Sequence, residues 1–280
     1  MKLLCLGHGY CAAALGRALA AEGWSVAGTS RDGRDLELGV EAWRFARGAP
    51  LPAGAWAGVS HVLSSIPPDE EGDPVLDELL AALRAAGPRW VGYLSSTGVY
   101  GDHGGAWVDA STPLAPPTSE RARRRAAAEA AWRALAPALP VHVFRLGGIY
   151  GPGRSALERV AAGAARRIDA PEHPFSRVHR DDVVAALRAS LARPRPGAVY
   201  DLVDDEPSPQ APVIELACEL LGAPLPPLEP LDLARLPAPL ADFYRDRRRV
   251  RNEATKRELG LELRYPTFRE GLRALASGKV

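Results

Sequence analysis

The stretch Lys2-Leu3-Leu4-Cys5-Leu6-Gly7-His8-Gly9-Tyr10-Cys11-Ala12 decides how the rest of the chain is read. Lys2–Leu6 is a short apolar run that ends in glycines, and Cys11–Ala21, rich in Ala and Leu, follows as a helix. Between them Gly7, Gly9 and Ala12 make a G-x-G-x-x-A pattern, with His8 and Tyr10 at variable positions. The first glycine permits a tight turn and the second lets the backbone approach a pyrophosphate. A small third residue lets helix and strand pack closely, and the helix N-terminus offers its free N–H groups to the anion. An ordinary glycine turn without a ligand is the competing interpretation. The strand before the motif and the helix after it weigh against that.

Outward from this turn, short apolar runs alternate with helical stretches. Val26–Thr29, Ala42–Phe45, Val59–Leu63, Trp90–Leu94 and Val141–Leu146 read as strands. The intervening helices are Val75–Ala86, introduced by an Asp73-Pro74 start, and Ser119–Leu135. Asp is a good N-cap and Pro suits the first helical position. Such alternation implies an α/β fold, a Rossmann-type doubly wound parallel sheet covered on both faces. After Gly147 the rhythm loosens. Ser155–Ala165, Asp181–Leu191, Ala211–Leu221 and Thr267–Ala276 read as helices and Ala198–Val203 as a strand, while residues 222–240 are a proline-crowded irregular segment. The expected division is a dinucleotide-binding domain over 1–150, with 178–203 returning to it, and a smaller substrate lobe over 151–280.

The end of the second strand governs cofactor choice. Sites that hold an unphosphorylated ribose usually place Asp or Glu there, about 20 residues after the glycines. Here the stretch is Gly28-Thr29-Ser30-Arg31, whose two hydroxyls and guanidinium suit a 2′-phosphate. NADP(H) is therefore favoured over NAD(H), with Asp32, one residue on, keeping the alternative open.

Net charge is +1, which gives no global pull toward nucleic acid or anionic membrane. The positive residues are almost all arginine, with lysine only at positions 2, 256 and 279, so a single Arg counts as a signal only where its position is special. Cys5, Cys11 and Cys218 are odd in number and lack metal-ligand spacing, as in a reducing, cytoplasmic compartment. The six histidines show no ligand spacing either, so no metal is expected. No apolar run approaches the roughly 20 residues a membrane helix needs, and the N-terminus does not resemble a signal peptide. The expected partner is a small-molecule substrate, and a homodimer is compatible with the sequence.

Three further strings carry a family resemblance: Leu94-Ser95-Ser96-Thr97-Gly98-Val99-Tyr100-Gly101, Phe144-Arg145-Leu146-Gly147-Gly148-Ile149-Tyr150-Gly151-Pro152-Gly153, and Val178-His179-Arg180-Asp181-Asp182-Val183. With the glycine motif, they make the chain resemble, over nearly its whole length, the extended and atypical short-chain dehydrogenase/reductases of the NAD(P)-dependent epimerase/dehydratase family. The resemblance implies that Ser64, Ser65, Ile66 and Pro67 line the cofactor after the fourth strand. It also implies that Ser95 and Ser96 lie beside the nicotinamide.

Family chemistry uses a Ser/Thr at the end of the fifth strand and a Tyr-x-x-x-Lys pair on the next helix, the lysine lowering the tyrosine pKa for proton transfer. Ser96 matches the Ser/Thr, with Thr97 beside it. By the family interval, the Tyr and Lys positions fall on Arg121 and Arg125, and no tyrosine stands between Tyr100 and Tyr150. A guanidinium cannot serve as a general base but can clamp a carboxylate or phosphate. Tyr100 is the candidate substitute acid. His179 suits a structural hydrogen bond, His8 a phosphate contact, and Cys11 a packing role. Sugar-nucleotide members carry an Arg where this chain has Phe175, with Arg177 two residues further on.

The leading expectation from these residues is an NADP(H)-binding oxidoreductase or epimerase/dehydratase-type enzyme with a non-standard active site, acting on a small polar or anionic metabolite. The rival reading is a non-catalytic NADP(H)-binding sensor or scaffold. A sugar-nucleotide epimerase using Tyr100 is the third.

Overall fold

The structure, a computed structural model, describes residues 1–33, 36 and 39–279. Its strands in chain order are β1 (Lys2–Leu6), β2 (Ser25–Ser30), β3 (Val40–Arg44), β4 (His61–Ser64), β5 (Trp90–Ser96), β6 (Trp107–Val108), β7 (Val141–Leu146), β8 (Gly148–Tyr150), β9 (Arg167–Asp169), β10 (Arg177–His179), β11 (Val199–Leu202), β12 (Leu228–Pro230) and β13 (Arg249–Val250). The helices are α1 (Tyr10–Ala21), α2 (Pro74–Ala86), α3 (Glu120–Ala134), α4 (Ala156–Ala161), α5 (Arg180–Ala192), α6 (Gln210–Leu221), α7 (Ala238–Ala241), α8 (Glu253–Leu259) and α9 (Phe268–Ala276). Seven strands form a parallel sheet in the order β11-β7-β5-β4-β1-β2-β3, with β1 flanked by β2 and β4. The order reverses at β1, the switch point beside which ligands of open α/β sheets bind. The α/β, Rossmann-type fold expected from the sequence is the fold of the chain.

The chain forms two compact units. The first comprises Met1–Ser96, Arg123–Arg145 and Val184–Tyr200; the second comprises Thr97–Ala122, Leu146–Val183 and Asp201–Val280.

In the first unit β1, β4 and β5 are buried almost throughout because helices cover both faces of a parallel sheet. Leu4, Leu6, Val62, Val91 and Val143 pack with Leu79, Leu83 and Trp132 in one core. The Asp73-Pro74 start works as anticipated: the Asp73 carboxylate accepts the N–H groups of Val75 and Leu76 at 3.0 and 3.2 Å. It also accepts Trp132 Nε1–H at 2.8 Å, so one cap holds α2 and buries an indole from α3. Such caps are worth about 1 kcal/mol.

The second unit has its own core, built from Leu157 of α4, Val213, Ile214 and Ala217 of α6, and Phe268 and Leu272 of α9. Tyr150 packs against α9 at Gly271, where an added Cβ would lie 2.2 Å from the phenol oxygen. Parallel pairs β6/β13, β8/β10 and β9/β12 add to this unit's backbone order. The helix expected over Ser155–Ala165 stops at Ala161, because Gly163 takes a left-handed φ of +64° that ends it. Helix α8 and the strands of two or three residues were not anticipated.

Candidate functional site

The glycine turn lies on a cleft of about 940 Å³ in the first unit. Gly7 sits at φ +88°, and a Cβ there would meet Ile66 Cγ1 and Ser65 Oγ at 2.9 Å, so only glycine fits. Gly9 N–H donates to Gly7 O at 2.9 Å, and three further bonds hold the turn. Gly7 N–H donates to Thr29 Oγ1 at 2.8 Å, His8 N–H donates to Thr29 O at 2.9 Å, and Ser65 Oγ–H donates to Gly7 O at 2.5 Å. Gly9 is different. Its φ is −91°, and a Cβ on it would find no protein atom within 4 Å. The turn therefore leaves open space in front of Gly9 at the start of α1, whose N-cap has no side-chain bond and whose first turn has no acid. An anion placed there would meet the positive end of the helix dipole.

Several sequence-derived assignments change at this point. Thr29 lines the cleft but is buried, and its hydroxyl accepts the Gly7 N–H, which braces the turn. The His8 imidazole, expected against a phosphate, is wedged between α1 and β2. A Cβ on Gly28 would lie 2.8 Å from His8 Cβ, and one on Gly16 would lie 3.2 Å from His8 Cε1. Ser64 is fully buried on β4 and does not line the cleft, whereas Ser65, Ile66 and Pro67 do. Tyr10 opens α1. Ser30 and Arg31 line the cleft at the end of β2, and Arg31 is exposed. Its carbonyl accepts Arg44 Nε–H at 3.3 Å, which brings a second guanidinium stem to that corner. A second lining cation, Arg47, is paired with Asp69 and Asp77 at 2.8 Å each, and its bond to Asp69 holds that carboxyl down at about 2. Sequence reasoning missed Arg44, the last residue of β3, and Arg47 just after it; Arg44 comes beside Ser30 of β2 only through sheet register.

Beyond β5 the network is structural. Ser95, expected beside the nicotinamide, is buried and donates its Oγ–H to Glu129 Oε2 at 2.6 Å. Arg145 grips the same carboxylate from Nη2 at 2.6 Å, both side chains being about 1% exposed. Arg125 donates from Nη1 to Leu94 O at 3.1 Å and to the Tyr93 hydroxyl at 3.3 Å, tying α3 to β5. Ser96 is half-buried at the end of that strand.

In the second unit, Thr97 is buried at the start of a short 3-10 turn. Tyr100 is wholly buried, and its hydroxyl donates to the Asp201 carboxylate at 2.8 and 3.0 Å. That withdraws it from the role of substitute acid and removes the basis for an epimerase built on it. His179 is also buried, its Nδ1 accepting the Asp181 N–H at 3.2 Å. Arg121 is exposed and its guanidinium stacks 4.8 Å over the Phe243 ring.

Phe243 belongs to the wall of a cavity of about 450 Å³ within this unit. Arg159 lines it from α4. Arg177, also on the wall, is pushed down to about 10 by burial but stays charged at neutral pH. It donates to the carbonyls of Phe175 at 2.9 Å, Ser208 at 2.7 Å and Pro209 at 3.4 Å, bracing two segments. The sequence did hold a signal for this wall: Ser155-x-x-Glu158 is a capping box that fixes α4 and hence Arg159.

Fold and turn together define a Rossmann-type α/β protein, and comparison with known proteins places it more closely. The model of the NAD dependent epimerase/dehydratase family matches residues 75–203. Protein YeeZ of Escherichia coli (strain K12) is 30% identical over 219 residues, covering 72% of this chain and 77% of its own. A 3-diazoavenalumate denitrifying reductase of a Streptomyces species is 31% identical over 209 residues, covering 69% of this chain and 67% of its own. Among solved structures, a conserved protein of unknown function from Silicibacter pomeroyi DSS is 48% identical, covers 99% of each chain and superposes with a TM-score of 0.91. The chain belongs to the NAD-dependent epimerase/dehydratase family.

Proposed function

We propose that this protein is an NADP(H)-dependent oxidoreductase of this family, with a non-standard active site, acting on a small polar or anionic metabolite. The observation that carries the reading is the open cradle at Gly9. The first unit keeps a cleft in front of an uncapped helix N-terminus, where a Cβ would touch nothing. Its residues fit a dinucleotide: the Gly7–Tyr10 backbone for the pyrophosphate, Ser30 and Arg31 for a ribose 2′-phosphate, and Ile66 and Pro67 along the wall. Bound there, the cofactor supplies or accepts a hydride. Ser96 is assigned to orienting the substrate oxygen. The family membership and the reductase among the relatives support the enzymatic reading.

One observation favours the rival, a non-catalytic NADP(H) sensor. The Tyr100 hydroxyl is taken by Asp201, and neither Arg121 nor Arg125 can move a proton. Titration with NADPH and NADH tests the cofactor assignment. NADPH is expected to bind more tightly, and Arg31→Ala is expected to weaken NADPH selectively, by about 1–3 kcal/mol, through loss of a charge-assisted contact. Equal curves for the two nucleotides in the wild type remove the 2′-phosphate assignment. Oxidation of bound NADPH by an added carbonyl compound separates enzyme from sensor.

A further inference from the structure

The cavity of the second unit narrows the substrate class. Resting on the reading above, we infer that it takes a planar, mainly apolar carboxylic acid, such as an aromatic or conjugated acid, and not a sugar nucleotide. At about 450 Å³ it lies in the lower part of the range of roughly 300–1,000 Å³ common for small-ligand sites. Rings from Phe175, Phe243, Tyr244 and Phe268 and the aliphatic side chains of Ile149 and Val213 form much of its surface. Flat apolar ligands gain most from such walls, through buried area and offset ring contacts.

The polar side chains on the same wall are largely occupied. The Glu158 carboxylate accepts the N–H groups of Ser155 at 2.7 Å and Gly153 at 3.0 Å. The Tyr244 hydroxyl donates to Gln210 at 2.5 Å, and the Tyr150 hydroxyl to Thr267 O at 3.3 Å. Arg177 is fixed on its three carbonyls. A sugar ring entering here would bury several hydroxyls with few groups left to bond them. Each unpaired buried hydroxyl is penalised, so the wall rejects a hydroxyl-rich ligand.

Arg159 stands apart from this. No carboxylate pairs with it among the described residues, and it lines the cavity from α4 with its side chain open to solvent. A single carboxylate on the ligand would complete the fork. Arg154 and Arg177 also line the cavity, Arg177 fixed on its carbonyls, and Arg159 is the guanidinium placed to match one acid on a flat body. A nucleoside diphosphate brings two phosphates and a polar base.

The test is binding without any nucleotide, so its outcome is independent of whether the cofactor assignment holds. Calorimetric titration would use trans-cinnamate and 2-naphthoate as probes, with cinnamamide as the uncharged analogue and UDP-glucose as the sugar nucleotide. The acids are expected to bind at least about tenfold more tightly than the amide and than UDP-glucose. Arg159→Gln is expected to abolish the difference between acid and amide, and Arg159→Lys to restore part of it, with circular dichroism confirming the fold of both. Tighter binding of UDP-glucose, equal binding of acid and amide, an unchanged preference in Arg159→Gln, or no binding by either acid overturns the inference.

Discussion

The Tyr100 hydroxyl donates to both carboxylate oxygens of Asp201, at 2.8 and 3.0 Å, with the ring wholly buried. A tyrosine so held is a strut. Tyr100→Phe is therefore expected to leave cofactor affinity and any turnover unchanged. It should cost about 1–3 kcal/mol of stability, because a charge-assisted hydrogen bond is lost inside the fold. Urea unfolding beside a nucleotide titration checks this. A large loss of turnover at unchanged stability returns Tyr100 to the chemistry.

That pairing also marks how far the sequence is legible. The strands β1, β2, β4, β5 and β7 can be read because each is an apolar run bounded by glycine, proline or polar residues. The turn at Gly7–Gly9 can be read because glycine's special conformations leave a mark in sequence. Tyr100 could not be placed, since its partner is 101 residues away and nothing near either residue announces the contact. Ser95 likewise resembles a cofactor residue until Glu129, from α3, takes its hydroxyl. The pairs β8/β10 and β9/β12 depend on partners brought together by packing, and three residues are too few to show a period.

The two glycines of the turn separate fold from function. Gly9→Val introduces a side chain at a φ of −91°, which valine adopts freely, into space without protein atoms. The variant is expected to fold with wild-type stability and to lose dinucleotide binding. Gly7→Ala meets Ile66 and Ser65 at 2.9 Å and must hold φ +88°, so it should lose roughly 1–3 kcal/mol of stability. Thermal melts and nucleotide titration of both variants distinguish the outcomes. A Gly9→Val protein that binds NADPH normally places the cofactor elsewhere.

His179 gives the second unit a pH dependence. Burial is the largest influence and pushes its imidazole down to about 4, against opposing attraction from Asp181. An unprotonated Nδ1 is also what accepts the Asp181 N–H. The folded pKa lies below the unfolded value near 6.5, so below that value the unfolded chain binds a proton that the folded chain refuses. The stability from this group is present above about 6.5 and is lost as pH falls toward 4. By pH 5 the loss should be on the order of 1–2 kcal/mol. Asp204 acts in the opposite sense, since burial raises its carboxyl pKa, so the measurement compares slopes of unfolding free energy against pH in wild type and His179→Gln. The variant's slope should be shallower between pH 6.5 and 5. A ring titration by NMR with a midpoint near 6.5 contradicts the assignment without need of the variant.

Arg121 and Arg125 stand one turn apart on α3, yet they work differently. Arg125 is tied to Leu94 O and the Tyr93 hydroxyl, so Arg125→Ala should reduce stability by about 1 kcal/mol or more. Arg121 has its guanidinium over Phe243, a wall residue of the second unit's cavity. An exposed cation–π contact of this kind is worth about 0.5–1 kcal/mol. Arg121→Ala is thus expected to weaken binding of an anionic ligand severalfold by releasing the ring and removing a charge, with little effect on stability. Arg121→Lys should recover only part of the loss, because a point charge lacks the planar face and the fork of donors. The double variant Arg121→Tyr with Arg125→Lys restores the family pair. It is expected to lose anionic-ligand binding where an arginine-based site operates, and to gain weak carbonyl reduction where an ancestral dehydrogenase site has decayed. Unchanged ligand binding and turnover in Arg121→Ala would assign Arg121 to the solvated surface, leaving Arg159 as the cation to pursue.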